Sequence, residues 1–191
     1  PMMKKIRLLP VLLITLLAAT GTHAAPEGWA PLLSPEALAS MLQGDAAPQI
    51  LRVSGEHEAG HIAGSVSASY ADFRGPPSNP GALPSLQDLT ATVQSLGLET
   101  RPVVLVHDGA SAADMGTATR LYWTLKSLGL QDLPILNGGF KAWKDAGLPI
   151  HMGTVAAAPT DWTPSWHDDW RISTQQMERR LDDPELRIID A

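Results

Sequence analysis

The chain begins to repeat itself near its C-terminus. Leu33-Ser34-Pro35-Glu36-Ala37-Leu38, with Leu42 following, is echoed by Ile172-Ser173-Thr174-Gln175-Gln176-Met177, with Leu181 following. Gln49-Ile50-Leu51-Arg52-Val53 is echoed by Arg187-Ile188-Ile189-Asp190-Ala191 after a one-residue gap. Each stretch reads as a Ser-capped helix followed by a short apolar strand. An offset of domain length implies duplication of a whole domain, because solenoid units recur every 20–50 residues or so. The second copy reaches its first core strand at Ala191, and a stub of that size cannot bury enough apolar surface to offset its ordering entropy. The expectation is therefore the front part of a longer protein: one complete domain over residues 30–151, a linker over 152–171, and the start of a truncated second copy over 172–191. The stub is expected to be disordered or to lie loosely on the first domain.

The N-terminus carries a different signal. Lys4, Lys5 and Arg7 lead an apolar run from Leu8 to Ala19, interrupted by Pro10 and Thr15, and Thr22-His23-Ala24 offers small residues for cleavage. This three-part pattern reads as a secretory signal peptide over residues 1–24 rather than an uncleaved anchor, since the run is short for a bilayer span. Export to the periplasm of a Gram-negative cell is the expectation, with no integral span in the mature chain. The net charge of −6 and the lack of a Lys/Arg cluster beyond the signal argue against nucleic acid as a partner. There is no cysteine. That excludes a thiolate nucleophile, a Cys-ligated metal or a persulfide carrier within these residues.

From Leu33 onward helices and strands alternate. Ser34 caps a helix with Pro35 at its first position and Ala37, Leu38, Met41 and Leu42 along one stripe. Ile50–Val53 is a short buried strand, and Ser65–Tyr70 reads as another. Asp72–Pro84 is a Pro/Gly-rich surface loop. Ser85–Leu96 is a second capped helix, Val103–Val106 the most strand-like run in the chain, and the spacing of Ala118, Leu121, Tyr122, Leu125 and Leu128 is helical. Leu133–Leu136 is a further strand, and Phe140–Ala146 a helix closed by Gly147. Short apolar strands between helices predict an α/β fold, with a parallel sheet covered by helices on both faces. Residues 152–170 have no periodicity, and their three tryptophans, Trp162, Trp166 and Trp170, suggest a segment lying against a surface.

Three motifs, in order, resemble the rhodanese family. Glu56-His57-Glu58-Ala59-Gly60-His61-Ile62-Ala63-Gly64-Ser65 is similar to the acidic stretch that leads into Gly-His-Ile-x-Gly in that family. Leu136-Asn137-Gly138-Gly139-Phe140-Lys141-Ala142-Trp143 with Gly147-Leu148-Pro149 resembles its closing signature. Val103–Asp108 matches the strand that carries the family's active-site loop. The resemblance spans about Leu32 to Ile150 and implies a rhodanese-like fold. It also implies a sulfurtransferase that moves sulfane sulfur from thiosulfate or a similar donor, through a cysteine persulfide, to cyanide or another thiophilic acceptor, with no cofactor.

At the position of the family's cysteine stands Asp108, in the loop Asp108-Gly109-Ala110-Ser111-Ala112-Ala113. A carboxylate can accept the N–H bonds of such a loop and mimic the anion, but it cannot carry sulfane sulfur. The resemblance thus implies an inactive first domain, with the working cysteine in the second, and packing between the two. Arg52 is a further departure: active copies carry Asp-x-Arg at that strand end, a pattern begun by Asp190 in the second copy. The remaining motif residues are Gly60, His61, Ile62, Gly64, Gly138, Gly139 and Trp143.

Other patterns are weaker. His57-Glu58-Ala59-Gly60-His61 satisfies H-E-x-x-H, but Gly55, Gly60 and Gly64 interrupt any helix, so a zinc site is not expected and His57 reads as an incidental surface residue. Ser111 near His107 lacks an elbow and an orienting acid, and reads as loop chemistry. Gly138-Gly139 lacks the Lys of a phosphate loop and reads as a tight turn into the last helix; Trp143 reads as core. A non-catalytic rhodanese-like scaffold of the cell envelope is the alternative function.

Overall fold

In the computed structural model, residues 28–189 are described. The expected signal segment and Asp190 lie outside them. Five strands form one parallel sheet: β1 (Leu32–Leu33), β2 (Gln49–Arg52), β3 (Val66–Ser67), β4 (Val103–Val106) and β5 (Ile135–Leu136), in the spatial order β1-β5-β4-β2-β3. β4 and β2 lie side by side at the centre, with Arg52 opposite Val106 at their C-terminal ends. All eight residues of these two strands are buried.

The side-chain alternation of the strands divides the core in two. Leu51, Val103 and Leu105 point to one face and pack with α2 (Leu86–Ser95) and α3 (Ala112–Ser127) through Leu89, Val93, Ala118, Leu121 and Leu125. Ile50, Val104 and Val106 point to the other, against α1 (Pro35–Met41) and α4 (Gly139–Asp145) through Leu38, Phe140 and Trp143. The expected parallel sheet with helices on both faces is the fold. Ser34, Ser85 and Ser111 each cap a helix by accepting a backbone N–H three residues on.

Three features differ from the reading above. The edge strand β1 is too short to show a pattern, and owes its existence to pairing with β5. The expected strand over 65–70 shrinks to Val66–Ser67, and a 3-10 turn at Tyr70–Phe73 follows it. The stretch expected to be a surface loop therefore starts inside the core, where Phe73 is fully buried. Arg120 on α3 ties that loop down, its guanidinium donating to the carbonyls of Phe73, Gly81 and Ala82 at 3.2, 3.1 and 2.8 Å. Arg120→Ala should cost about 1–2 kcal/mol, the value of hydrogen bonds that leave carbonyls unpaired, and should raise hydrogen exchange in residues 73–82.

Residues 152–171, read as a linker lying against a surface, run from the Glu58 turn and, from Thr160 onward, form a strap across the α2/α3 face. The Thr160 N–H donates to the Gln94 carbonyl at 3.1 Å and its hydroxyl to Leu98 O at 2.7 Å, while the His167 N–H donates to Ser127 O at 2.8 Å. Trp162 and Trp166 pack against the core cluster beneath them. The indole of Trp123 donates to Trp170 O at 2.5 Å, which holds the far end of the strap on α3.

Beyond the strap, α5 (Thr174–Glu178) has a capping box formed by Ser173 and Gln176, and buries no residue. The strand expected over 187–191 is not formed in its described part. Ile188 and Ile189 are 61% and 86% exposed, with no strand to pair with among the described residues. Local capping signals suffice for a single helical turn, whereas a strand needs a neighbour.

Candidate functional site

The adjacency of β2 and β4 decides what meets at their C-terminal ends. From β2 the chain proceeds to β3 on one side, and from β4 it proceeds through α3 to β5 on the other. A crevice outside such a divergence point is where open α/β sheets place their sites. Here it contains the loop from His107 to Ser111, the residues after β2, and the N-terminus of α4.

The loop's shape comes from glycine and backbone bonds. Gly109 has φ +85°, and a Cβ there would overlap the Gly138 carbonyl. Gly138 and Gly139 both have positive φ, and a Cβ on Gly139 would collide with the His107 carbonyl, so the two glycines make the tight turn expected of them. That close approach lets the Phe140 N–H donate to His107 O at 2.7 Å and the Lys141 N–H to Asp108 O at 2.9 Å. Gly139→Ala combines an unfavourable φ with this overlap and should destabilise by about 1–3 kcal/mol, measurable by urea unfolding.

Asp108 does not act as expected. Its carboxylate is not held by the N–H groups of its own loop; Oδ1 accepts from Arg52 Nη2 at 2.5 Å. The Ser54 hydroxyl accepts the Asp108 N–H at 2.8 Å. The loop N–H of Ser111 donates to the carboxylate of Asp114, which returns the capping bond, so Asp114 rather than Asp108 is the loop's anion. The Ser111 hydroxyl bond is the main cause holding Asp114 below its ordinary pKa. Sequence reading overlooked Asp114, though Ser-x-x-Asp at a helix start is a capping-box signature.

Arg52, noted above as a departure, is the organising residue. Its guanidinium is 3% exposed and donates to Ser54 O at 2.6 Å, to Gly60 O at 3.2 Å and to Asp108, while stacking 4.1 Å from the Phe140 ring. One side chain thus joins the end of β2, the Gly60-His61-Ile62 turn, the Asp108 loop and α4. Burial pulls its pKa down, and Asp108 opposes that shift. A charge-assisted bond to a carboxylate is what makes a buried guanidinium tolerable. Asp108, Arg52, Glu56, Gly60, Phe140 and Ile150 face an open recess of about 270 Å³.

His57 is not an incidental surface residue. It is 7% exposed and His61 2% exposed, and their rings stack with centroids 4.1 Å apart and planes within 5°. Residues 57–59 form a turn rather than a helix, and the facing nitrogens contact Ser65 O and His57 O, so the H-E-x-x-H spacing has no metal geometry. Gly64 sits in the turn before β3 with nothing against it, Ile62 is buried beside Val104, and Trp143 is core, its indole donating to Pro149 O at 2.8 Å. His107 is buried, with an Nδ1 that has no hydrogen-bond partner, and burial lowers its pKa; it makes no hydrogen bond to Ser111, whose hydroxyl is engaged with Asp114, so the two do not form a nucleophile–base pair.

Fold and crevice together define a parallel α/β domain built around a strand–loop–helix turn whose key position is a carboxylate. The rhodanese-like domain model matches residues 34–146, and the chain belongs to that family. It is 28% identical over 153 residues to the thiosulfate sulfurtransferase of Pseudomonas aeruginosa, covering 76% of this chain and 54% of that one. It is 33% identical over 111 residues to a probable 3-mercaptopyruvate sulfurtransferase of the same organism, covering 57% and 38%. The structure of SseA from Escherichia coli, a 3-mercaptopyruvate sulfotransferase, superposes with a TM-score of 0.64 at 16% identity, over 78% of this chain and 61% of that one, a likeness of fold. The chain spans about a third to a half of the length of the curated relatives it matches.

Proposed function

We propose that this chain supplies the non-catalytic first domain of a periplasmic, tandem-domain sulfurtransferase. Sulfane sulfur passes from thiosulfate or a similar donor to cyanide or another thiophilic acceptor, through a cysteine in a second domain that begins near Ile172. What supports this reading is the Arg52–Asp108 pair: the residue that the resemblance matches to the family's sulfur-bearing position is a carboxylate locked to a buried cation. An oxygen ligand in that position has no sulfur chemistry, so this domain serves as a wall against which the second domain packs. The charged N-terminus with its short apolar run supports export.

Two experiments test the reading. The purified chain should show no thiosulfate:cyanide turnover; turnover would sink the role given to Asp108. The coding region should continue past the codon for Ala191 into a second domain with a cysteine after its central strand, and replacing that cysteine should abolish turnover by the whole protein. A second domain without that cysteine would leave a rhodanese-like scaffold of the envelope as the function.

A further inference from the structure

The stacked histidines sit in the same turn that Arg52 grips, and they face the segment that leaves α4. The His61 N–H donates to the His151 carbonyl and the His151 N–H to the His61 carbonyl, both at 2.9 Å, an isolated antiparallel bridge. One residue pair further out, the Gly153 N–H donates to Glu58 O at 2.9 Å and the Thr154 hydroxyl to the Glu58 carboxylate at 2.9 Å. Ile150, at the start of this bridged segment, forms part of the wall of the recess in front of Asp108 and packs where Gly60 has no side chain.

The hydrogen bonds assign the protons. His57 Nε2 lies 2.9 Å from the Ser65 carbonyl and His61 Nδ1 lies 3.0 Å from the His57 carbonyl. A carbonyl only accepts, so both ring nitrogens are N–H donors, and each neutral ring has one unprotonated nitrogen left. A second proton on His57 creates a buried cation stacked 4.1 Å from the His61 ring. Around the pair stand Arg52 from β2, which opposes a charge on His57, Glu58 from the same turn, which favours it, and His151 from the facing segment, its ring 6.4 Å from that of His61. We propose that the His57–His61 stack is an acid-sensitive latch: neutral, it holds the 150–154 segment against the Gly60 turn and closes one wall of the recess; protonated, it lets that segment go.

The sign follows from the energetics. Burial lowers the pKa of His57 below its ordinary 6.5 in the folded state. The stabilisation from the neutral ring is therefore complete above pH 6.5 and is lost as pH falls through the depressed folded value. This holds whether or not the domain belongs to a sulfur-transferring protein.

Amide hydrogen exchange on the full chain, corrected for the intrinsic pH dependence of exchange, tests the latch. The amides of His151 and Gly153 should keep constant protection between pH 8 and 7 and lose up to about tenfold per pH unit at lower pH, one proton's worth of linkage. The Leu105 amide, inside the sheet, should hold its protection over that range. Flat protection of His151 and Gly153 down to pH 5, or a loss shared with Leu105, overturns the proposal. In the His57→Gln, His61→Asn double variant the dependence should vanish; its persistence also overturns it. Should that variant not fold, ring-proton titrations of the unaltered chain decide. The amide change must share its midpoint with His57, and a midpoint shared with His107 instead refutes the latch.

Discussion

Asp108→Ala should destabilise the domain by about 3 kcal/mol, the lower part of the range for removing one partner of a buried ion pair. The loss comes from what remains. The Arg52 guanidinium is 3% exposed while Asp108 is 34% exposed, so truncation strands a cation that water reaches poorly. Asp108 gives up little of its own burial, which is why the lower part of the range applies. Arg52→Met leaves a half-exposed carboxylate and should cost less through charge. It also removes the bonds to Ser54 O and Gly60 O, and two unpaired carbonyls bring the total to a comparable value. The double variant should be less destabilised than the sum of the singles, because neither charge is left alone. Urea unfolding of the four proteins gives the coupling directly. Formate or acetate should restore part of the stability of Asp108→Ala and none of that of Arg52→Met, since a carboxylate that binds the folded state alone stabilises by mass action. Additive losses with no rescue would show that the two charges are not coupled and that the pair contributes nothing beyond what each side chain does alone.

That pair also marks how far the sequence could be read. The strand-like run at Val103–Val106 and the capped helices announced themselves because periodicity and caps are local properties, and the sheet followed from their alternation. Asp108 was found by its place after β4. Its partner was not, because Arg52 is distant in sequence and the two meet only when β2 and β4 lie in register. Arg52 could be noted as unusual, but nothing local shows that its side chain turns to Ser54, Gly60 and Asp108 together. His57 failed for the same reason: a His in a glycine-rich turn looks exposed until β3 and the 150–154 segment close over it. Asp114 is the opposite case, a local capping signal that was present and overlooked. Phe73 sits in a Pro/Gly-rich stretch whose composition says loop, and only the packing of α3 against it places it in the core.

A chain ending at residue 151 should lose most of its stability, although the matched family region ends at residue 146. The strap within 152–171 lies on the α2/α3 face, where Trp162 and Trp166 cover the larger of the two core clusters. Removing it exposes the apolar surface of the helices beneath and the two indoles' share of the contact. Each partly buried indole contributes about 2 kcal/mol, below the 3–5 kcal/mol typical of a fully buried one because Trp162 and Trp166 keep an exposed edge. The strap's bonds to Gln94, Leu98 and Ser127 add to this, at about 1 kcal/mol each. The sum, on the order of 5 kcal/mol or more, approaches the whole stability of an ordinary domain. Truncation at 171 keeps Trp170 on Trp123 and removes only α5 and the segment after it, which hold no fully buried residue among those described; its unfolding midpoint should match that of the full chain. If the chain ending at 151 unfolds at the same urea concentration as the chain ending at 171, the tryptophans are decoration on a complete domain. If it does not, the domain ends at the strap, and whatever follows Arg171 starts from a fixed point on α3 rather than from a free tether.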